Sequence, residues 1–187
     1  NAIAKSTNSF AFGDGAQASN DDAYAFGAGA LASGAGSYAL GSLGRDTLGA
    51  LTGARTISSG QYSFSFGLGS ISTHMGAFAI GASDTSSGEF SYAIGYGSKV
   101  TGKRSFAIGD RVITSGNYSL AIGYPLLSTT YPTPTYRKAE TSGTYSIAIG
   151  GGVLASSSSS IAIGTLATSS GGKSIAIGFG RVGSSLA

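Results

Sequence analysis

The sequence has no cysteine and no tryptophan, a single methionine and a single histidine. Without cysteine there is no disulfide framework, no thiolate zinc site and no thiol nucleophile. With His74 alone, a multi-histidine metal centre cannot be built. Charge is also scarce: Asp, Glu, Lys and Arg make up 10% of the chain, against about 25% in an average soluble domain. A net charge of +3 is too small to point to nucleic acid as a partner. No apolar run reaches the roughly 18 residues a membrane-spanning helix needs. There is no signal peptide and no initiator methionine, so the stretch reads as a segment of something longer.

Glycine is abundant, at 32 of 187 residues, and with serine it makes up about a third of the chain. It shows no period of three, which excludes a collagen helix. The 41% apolar content argues against simple disorder. The organising feature is a tandem signature of four residues: large apolar, Ala or Ser, apolar, Gly. It recurs eleven times, from Phe10-Ala11-Phe12-Gly13 through Tyr92-Ala93-Ile94-Gly95 to Ile175-Ala176-Ile177-Gly178. Successive closing glycines are 14 residues apart in eight of ten intervals, with one interval of 26 and one of 27. Serine precedes the signature in nine of the eleven copies. A second glycine often follows two residues after the closing one, and another seven after it, as at Gly97 and Gly102.

Apolar-small-apolar alternation has the period of a strand, and the flanking glycines supply turns. Fourteen residues leave no room for a crossover helix. They accommodate two strands of about four or five residues with two small turns, which makes each unit one coil of an all-β solenoid. About 13 coils at a strand spacing of ~4.8 Å give a rod of roughly 60 Å. The repeated serines are expected to form a hydroxyl row along one edge. The large apolar residues, such as Tyr92 and Ile94, are assigned to the face that fills the core. The alanines between them then form a flat outer wall, which is expected to pack against further copies around an axis.

The runs Ser91-Tyr92-Ala93-Ile94-Gly95, Ser105-Phe106-Ala107-Ile108-Gly109, Ser119-Leu120-Ala121-Ile122-Gly123 and Ser160-Ile161-Ala162-Ile163-Gly164 give the clearest likeness to a known family. The chain resembles the head domain of trimeric autotransporter adhesins of the YadA type, from about Asn8 to Ser185. That resemblance implies a left-handed parallel β-roll (a single-stranded β-solenoid of 14-residue coils) assembled as a homotrimer at the tip of a surface fibre. It implies an extracellular protein or glycan as ligand, no cofactor, no enzymatic activity and no nucleic acid. Attachment to an outer membrane is expected through an anchor outside this stretch. The early copies depart from the family pattern: Phe10, Phe12, Tyr24 and Phe26 are aromatic where the family has Val and Ile.

The whole of 1–187 is expected to be one roll with two interruptions. A short degenerate coil covers about 42–52 and contains Arg45 and Asp46. A proline-bearing loop covers about 124–138 and holds all three prolines, Pro125, Pro132 and Pro134. Proline cannot donate to a strand ladder, so this piece must leave the stack, with the coil resuming near Ala139. Tyr124, Tyr131 and Tyr136 beside Arg137 and Lys138 make it the candidate ligand-binding tip, because Tyr and Arg are favoured at binding hot spots. Lys103 and Arg104, with Lys99 and Arg111 on neighbouring coils, are a second candidate, a basic patch for a polyanion.

Other signals are weak. Gly178-Phe179-Gly180-Arg181-Val182-Gly183 fits a dinucleotide fingerprint, but the repeat explains its first glycines and no helix follows. Ser119 of the sequon Asn117-Tyr118-Ser119 is a ladder serine. His74 occupies a turn. Regular Thr ranks for ice binding, a six-residue acyltransferase period and regularly placed Asp for calcium are all lacking. The alternative to an adhesin is a rigid fibre spacer without a ligand of its own.

Overall fold

Each 14-residue unit makes one turn of a parallel β-solenoid in the computed structural model, which describes residues 1–43, 53–128 and 135–179. A turn consists of a long strand, a tight corner, a two-residue strand and a second corner. In the middle of the rod these strands are Tyr92–Tyr96 and Lys99–Val100. Among the described residues, eleven long strands stack into one sheet and eleven short strands into another, all in parallel. The second strand is shorter than the sequence suggests, because the two corners take up the rest of the unit. The stack is also shorter than the expected 13 coils: about eleven ranks at ~4.8 Å make a rod of about 50 Å. No helix is present among the described residues.

Identical positions pair with identical positions. Phe78 lies beside Tyr92, Ala79 beside Ala93, Ile80 beside Ile94 and Gly81 beside Gly95. Both irregular intervals keep this register. Tyr38 pairs with Phe64 across the first, and Leu120 with Ile147 across the second. Each irregular interval therefore lies at one corner only, between a long strand and the next short one, and the degenerate coil expected at about 42–52 falls almost wholly outside the described residues. The preceding long strand ends at Ser42 in the first case and at Tyr124 in the second.

The alternation resolves with the opposite polarity to the one expected from sequence. The signature alanines point inward: Ala25, Ala39, Ala79, Ala93, Ala107, Ala121, Ala148 and Ala162 are fully buried. Their large neighbours face outward, with Phe12 58% and Phe66 52% exposed. A coil that closes within 14 residues holds its two sheets too near each other for facing ranks of Phe, Tyr or Ile. The interior admits only small side chains, and the largest fully buried ones are Val100, Val112 and Val153. The wall of alanine expected to meet other copies is instead the core of the single roll.

The serine row is likewise internal. Ser63, Ser91, Ser105, Ser119 and Ser146 are buried at the second corner. Ser63, Ser91 and Ser146 each donate to the carbonyl three residues earlier, at 2.6–2.7 Å. Ser119 N–H donates to Ser105 Oγ and Ser146 N–H to Ser119 Oγ, at 3.1 and 3.3 Å. The hydroxyls thus tie coil to coil, and a buried hydroxyl with a partner avoids the cost of desolvation.

The core changes character along the rod. Alanine fills the interior from Ala16 to Ala39, and alanine and valine fill it from Ala93 to Ala167. Between them lie Thr56, Ser58, Ser65, Ser70, Ser72, Asp84 and Ser86, all fully buried. Ser65 and Ser72 share a 2.6 Å hydrogen bond, as do Ser58 and Ser63.

Two backbone devices permit this packing. A Cβ on closing Gly95 (φ +140°) would collide with the Gly109 carbonyl of the next coil. The second corner holds the residue five before each closing glycine in the left-handed region. Asn8, Asp22, Gly36 and Gly76 sit there, but so do Tyr62, Phe90, Arg104, Tyr118 and Tyr145. Asn, Asp and Gly occupy that conformation readily, whereas an aromatic residue does so at a cost of about 1–2 kcal/mol.

Candidate functional site

Three outer surfaces carry the residues singled out from the sequence. The first is the outer face of the long-strand sheet. Its residues three before the closing glycines form a ladder of rings. Tyr24 stacks on Tyr38 at 4.9 Å between centroids, Phe78 on Tyr92 at 4.9 Å and Tyr92 on Phe106 at 4.6 Å. Such contacts each contribute roughly 0.5–1.5 kcal/mol beyond area burial. The rank becomes aliphatic from Leu120 through Ile147 and Ile161 to Ile175. A shallow groove of about 470 Å³ lies where Leu40 falls between Phe26 and Phe66. This face is an apolar strip running the length of the rod.

The second surface is the corner from which both excursions depart. The proline-bearing piece is an antiparallel hairpin outside the stack, with Leu126–Ser128 paired to Thr135–Arg137. Pro125 stands between the last residue of the long strand and the hairpin. Leu126 lies against Gly151, and the Arg137 stem lies beside Gly152. The Arg137 guanidinium donates to Thr168 Oγ1 at 2.9 Å and to the Leu166 carbonyl at 3.4 Å, two coils beyond the strand that follows the hairpin. It therefore anchors the hairpin base. Tyr124 and Tyr136 are exposed, at 51% and 69%, and Lys138 is exposed beside them. A cleft of about 360 Å³ opens here, walled by Tyr136, Arg137 and Lys138 on one side and by Ile113, Glu140 and Leu154 of the short-strand sheet on the other. The roll resumes at buried Ala139. Tyr131, Pro132 and Pro134 lie outside the described residues, as do Arg45, Asp46 and Arg181.

Arg55, which sequence reading passed over, repeats the anchoring at the other excursion. It donates from Nε to the Gly29 carbonyl at 2.7 Å and from its terminal nitrogen to the Gly15 carbonyl at 3.4 Å. An isolated arginine next to an irregular interval carries no pattern of its own. The signal that was available is that both irregular stretches end in an arginine two or three residues before the coil resumes.

The third surface is the opposite corner, which carries Lys103 and Arg104. Lys103 pairs with Glu89 at 3.1 Å, and the Arg104 guanidinium lies 5.8 Å from the centre of the Tyr118 ring. Arg111 stands at the hairpin's corner over Tyr96, at 5.6 Å, and Lys99 on the short-strand sheet. The four cations thus occupy three different sides of the coil, and the structure does not gather them into one patch. Tyr118 stacks on Tyr145 at 5.1 Å, so this corner bears an exposed ridge of rings. Asn117 Oδ1 accepts the Lys103 N–H at 2.9 Å and Ser119 is buried, as a ladder serine should be. His74 sits in an exposed turn against Thr73. No cluster of metal-ligating side chains occurs among the described residues.

Tandem 14-residue coils, an in-register parallel ladder and an alanine interior define the class: an all-β parallel β-roll. A family profile described as the YadA head domain repeat matches residues 18–43, 86–111, 137–152 and 155–180. The chain belongs to the YadA head family. Heads of this family are surface-exposed, adhesin-like domains of trimeric autotransporters, form trimers in general and are typically non-enzymatic. No curated protein matches the chain.

Proposed function

We propose that this chain is the head of an outer-membrane-anchored adhesin that trimerises through the outer face of its long-strand sheet and binds an extracellular protein or glycan through the hairpin corner. The observation that carries the trimer is the apolar strip. It runs across every rank from Phe10 to Ile177, with no charged residue at its two large apolar positions. Soluble monomers rarely expose contiguous apolar patches of more than a few hundred Å². Three copies packed by this face would bury it around one axis.

Binding is assigned to the hairpin corner because both excursions leave from that side of the roll and both are tied down by an arginine. Tyr124, Tyr131, Tyr136, Arg137 and Lys138 are the contact residues of this reading. Arg137 serves there both as anchor and as part of the cleft wall. Lys103 and Arg104, on the opposite corner, form a separate and lesser contact. Three weak sites on one trimer gain by effective concentration.

The test is a matrix-protein and glycan array probed with the purified trimer, its mass having been measured in solution. Tyr136→Ala combined with Lys138→Ala is expected to lower binding at least tenfold while leaving the trimer intact. Undiminished binding by that variant would refute the hairpin site. A spacer would bind nothing on the array and would tolerate removal of a whole 14-residue coil.

A further inference from the structure

The polar middle of the roll contains one carboxylate where every neighbouring coil has a hydroxyl or an alkyl group. From Ala16 to Ala167, the residue immediately before each short strand points into the roll. At this rank Thr56 Oγ1 donates to the Gly67 carbonyl at 2.7 Å, Ser70 Oγ to the Gly81 carbonyl at 2.9 Å, and Ser98 Oγ to the Gly109 carbonyl at 3.0 Å. The interaction is one repeated rung, a hydroxyl proton given to the closing glycine of the following coil. Asp84 occupies the same rank, and the equivalent acceptor is the Gly95 carbonyl. Asp84 is fully buried. Its Oδ1 accepts the Ser98 N–H at 2.7 Å. Its Oδ2 has no hydrogen-bond partner. A Cβ placed on Gly81 would run into both Asp84 Oδ2 and the Gly95 carbonyl oxygen, so both oxygens border the same small space beside Gly81.

Two acceptors facing each other in a dry interior repel unless one carries a proton. We propose that Asp84 is a proton-operated rung: as the carboxylic acid it donates to the Gly95 carbonyl and completes the ladder from Thr56 to Ser98, and as the carboxylate it breaks that ladder in the middle of the rod. The device rests on the roll interior alone and is independent of trimerisation or ligand binding.

The surroundings offer the carboxylate no compensating charge. The preceding coil places Leu68, Gly69, Ser70, Ile71 and Ser72 beside it, none of them titratable, and its one titratable side chain, His74, is exposed at the second corner. The titratable side chains of its own coil and the next, Glu89, Tyr92, Tyr96, Lys99, Lys103 and Arg104, are all outside the buried interior, and Glu89 is paired with Lys103. On its own coil Ser83 and Thr85 are neutral. Burial raises the Asp84 carboxyl from 3.8 to about 6, against the smaller lowering effects of the backbone at Ser98 and Gly95. The folded chain therefore holds a proton that the unfolded chain releases. The stabilisation is complete below pH 3.8, declines as pH rises through about 6, and is absent above it.

Hydrogen–deuterium exchange on the intact trimer, corrected for intrinsic rates, tests this. Amides from Ser70 to Ser98 are expected to lose protection by roughly thirtyfold between pH 4.5 and 7.5, while those from Ala148 to Ala162 change little. Asp84→Ser copies the neighbouring rungs, and Asp84→Asn keeps a donor and an acceptor without a titrating proton. Either variant should flatten the response. A flat wild-type profile, or a pH response in both variants equal to that of the wild type, would overturn the proposal.

Discussion

The two sides of a single long strand obey different rules. Ala93 and Ile94 are adjacent in sequence, yet Ala93 sits in an interior that admits nothing larger than valine, while Ile94 belongs to an outer strip that changes from Phe to Leu to Ile along the rod. The inward ranks are set by the distance between two sheets joined through very short corners. The outward ranks only need to be apolar and to stack on their neighbours. The conserved-looking alanine is therefore the tightest packing constraint in the unit, and the conspicuous aromatic rings are its adaptable part. A single roll leaves many of these rings about half exposed.

This contrast can be broken most forcefully from the inside. Ala93→Leu has no void to enter, so the strand must shift. Overpacking of this kind costs about 1–3 kcal/mol even in cores that can adjust, and a coil stacked on both sides adjusts little. The expected result is loss of cooperative thermal unfolding, or a large drop in Tm followed by circular dichroism. From the outside, Ile94→Lys combined with Ile108→Lys should leave the roll's β signal in place while dispersing the trimer to monomers in sedimentation velocity. A trimer that survived both lysines would mean that copies meet through another face. The smallest effect belongs to the second corner, where neither packing rule applies. Ser159 is held at φ +55°, and Asn adopts that region more readily. Ser159→Asn should raise Tm slightly with no change in mass, whereas a fall would show that the serine side chain contributes there.

Much of the fold is legible in the residues. The 14-residue spacing fixes the coil, and the apolar-small-apolar runs fix the long strands. Pro125 marks where the chain leaves the stack. The register on either side of each irregular interval is intact. The inside of the roll is less legible. The serine row was visible as a pattern, but its burial was not, because a serine repeats equally well on an edge or in a dry core. Asp84 looked like any polar turn residue. Only its rank, shared with Ser70 and Ser98, places it among internal donors. The left-handed corner was hidden because Asn8, Asp22 and Gly36 share it with tyrosines that give no such signal. The candidate contact residues separate in the same way: Tyr136, Arg137 and Lys138 are consecutive in sequence and line one cleft, whereas Lys103 and Arg104 turn out to lie across the coil from them.

The sequence by itself determined the period, the parallel stacking and the register, because a tandem repeat places like residues above like residues whatever the interior looks like. Which face of the strand is the core was decided only by the tertiary structure. Alternation separates two sets of side chains without saying which one the chain curls around. The curl is so narrow that only the smaller set fits inside.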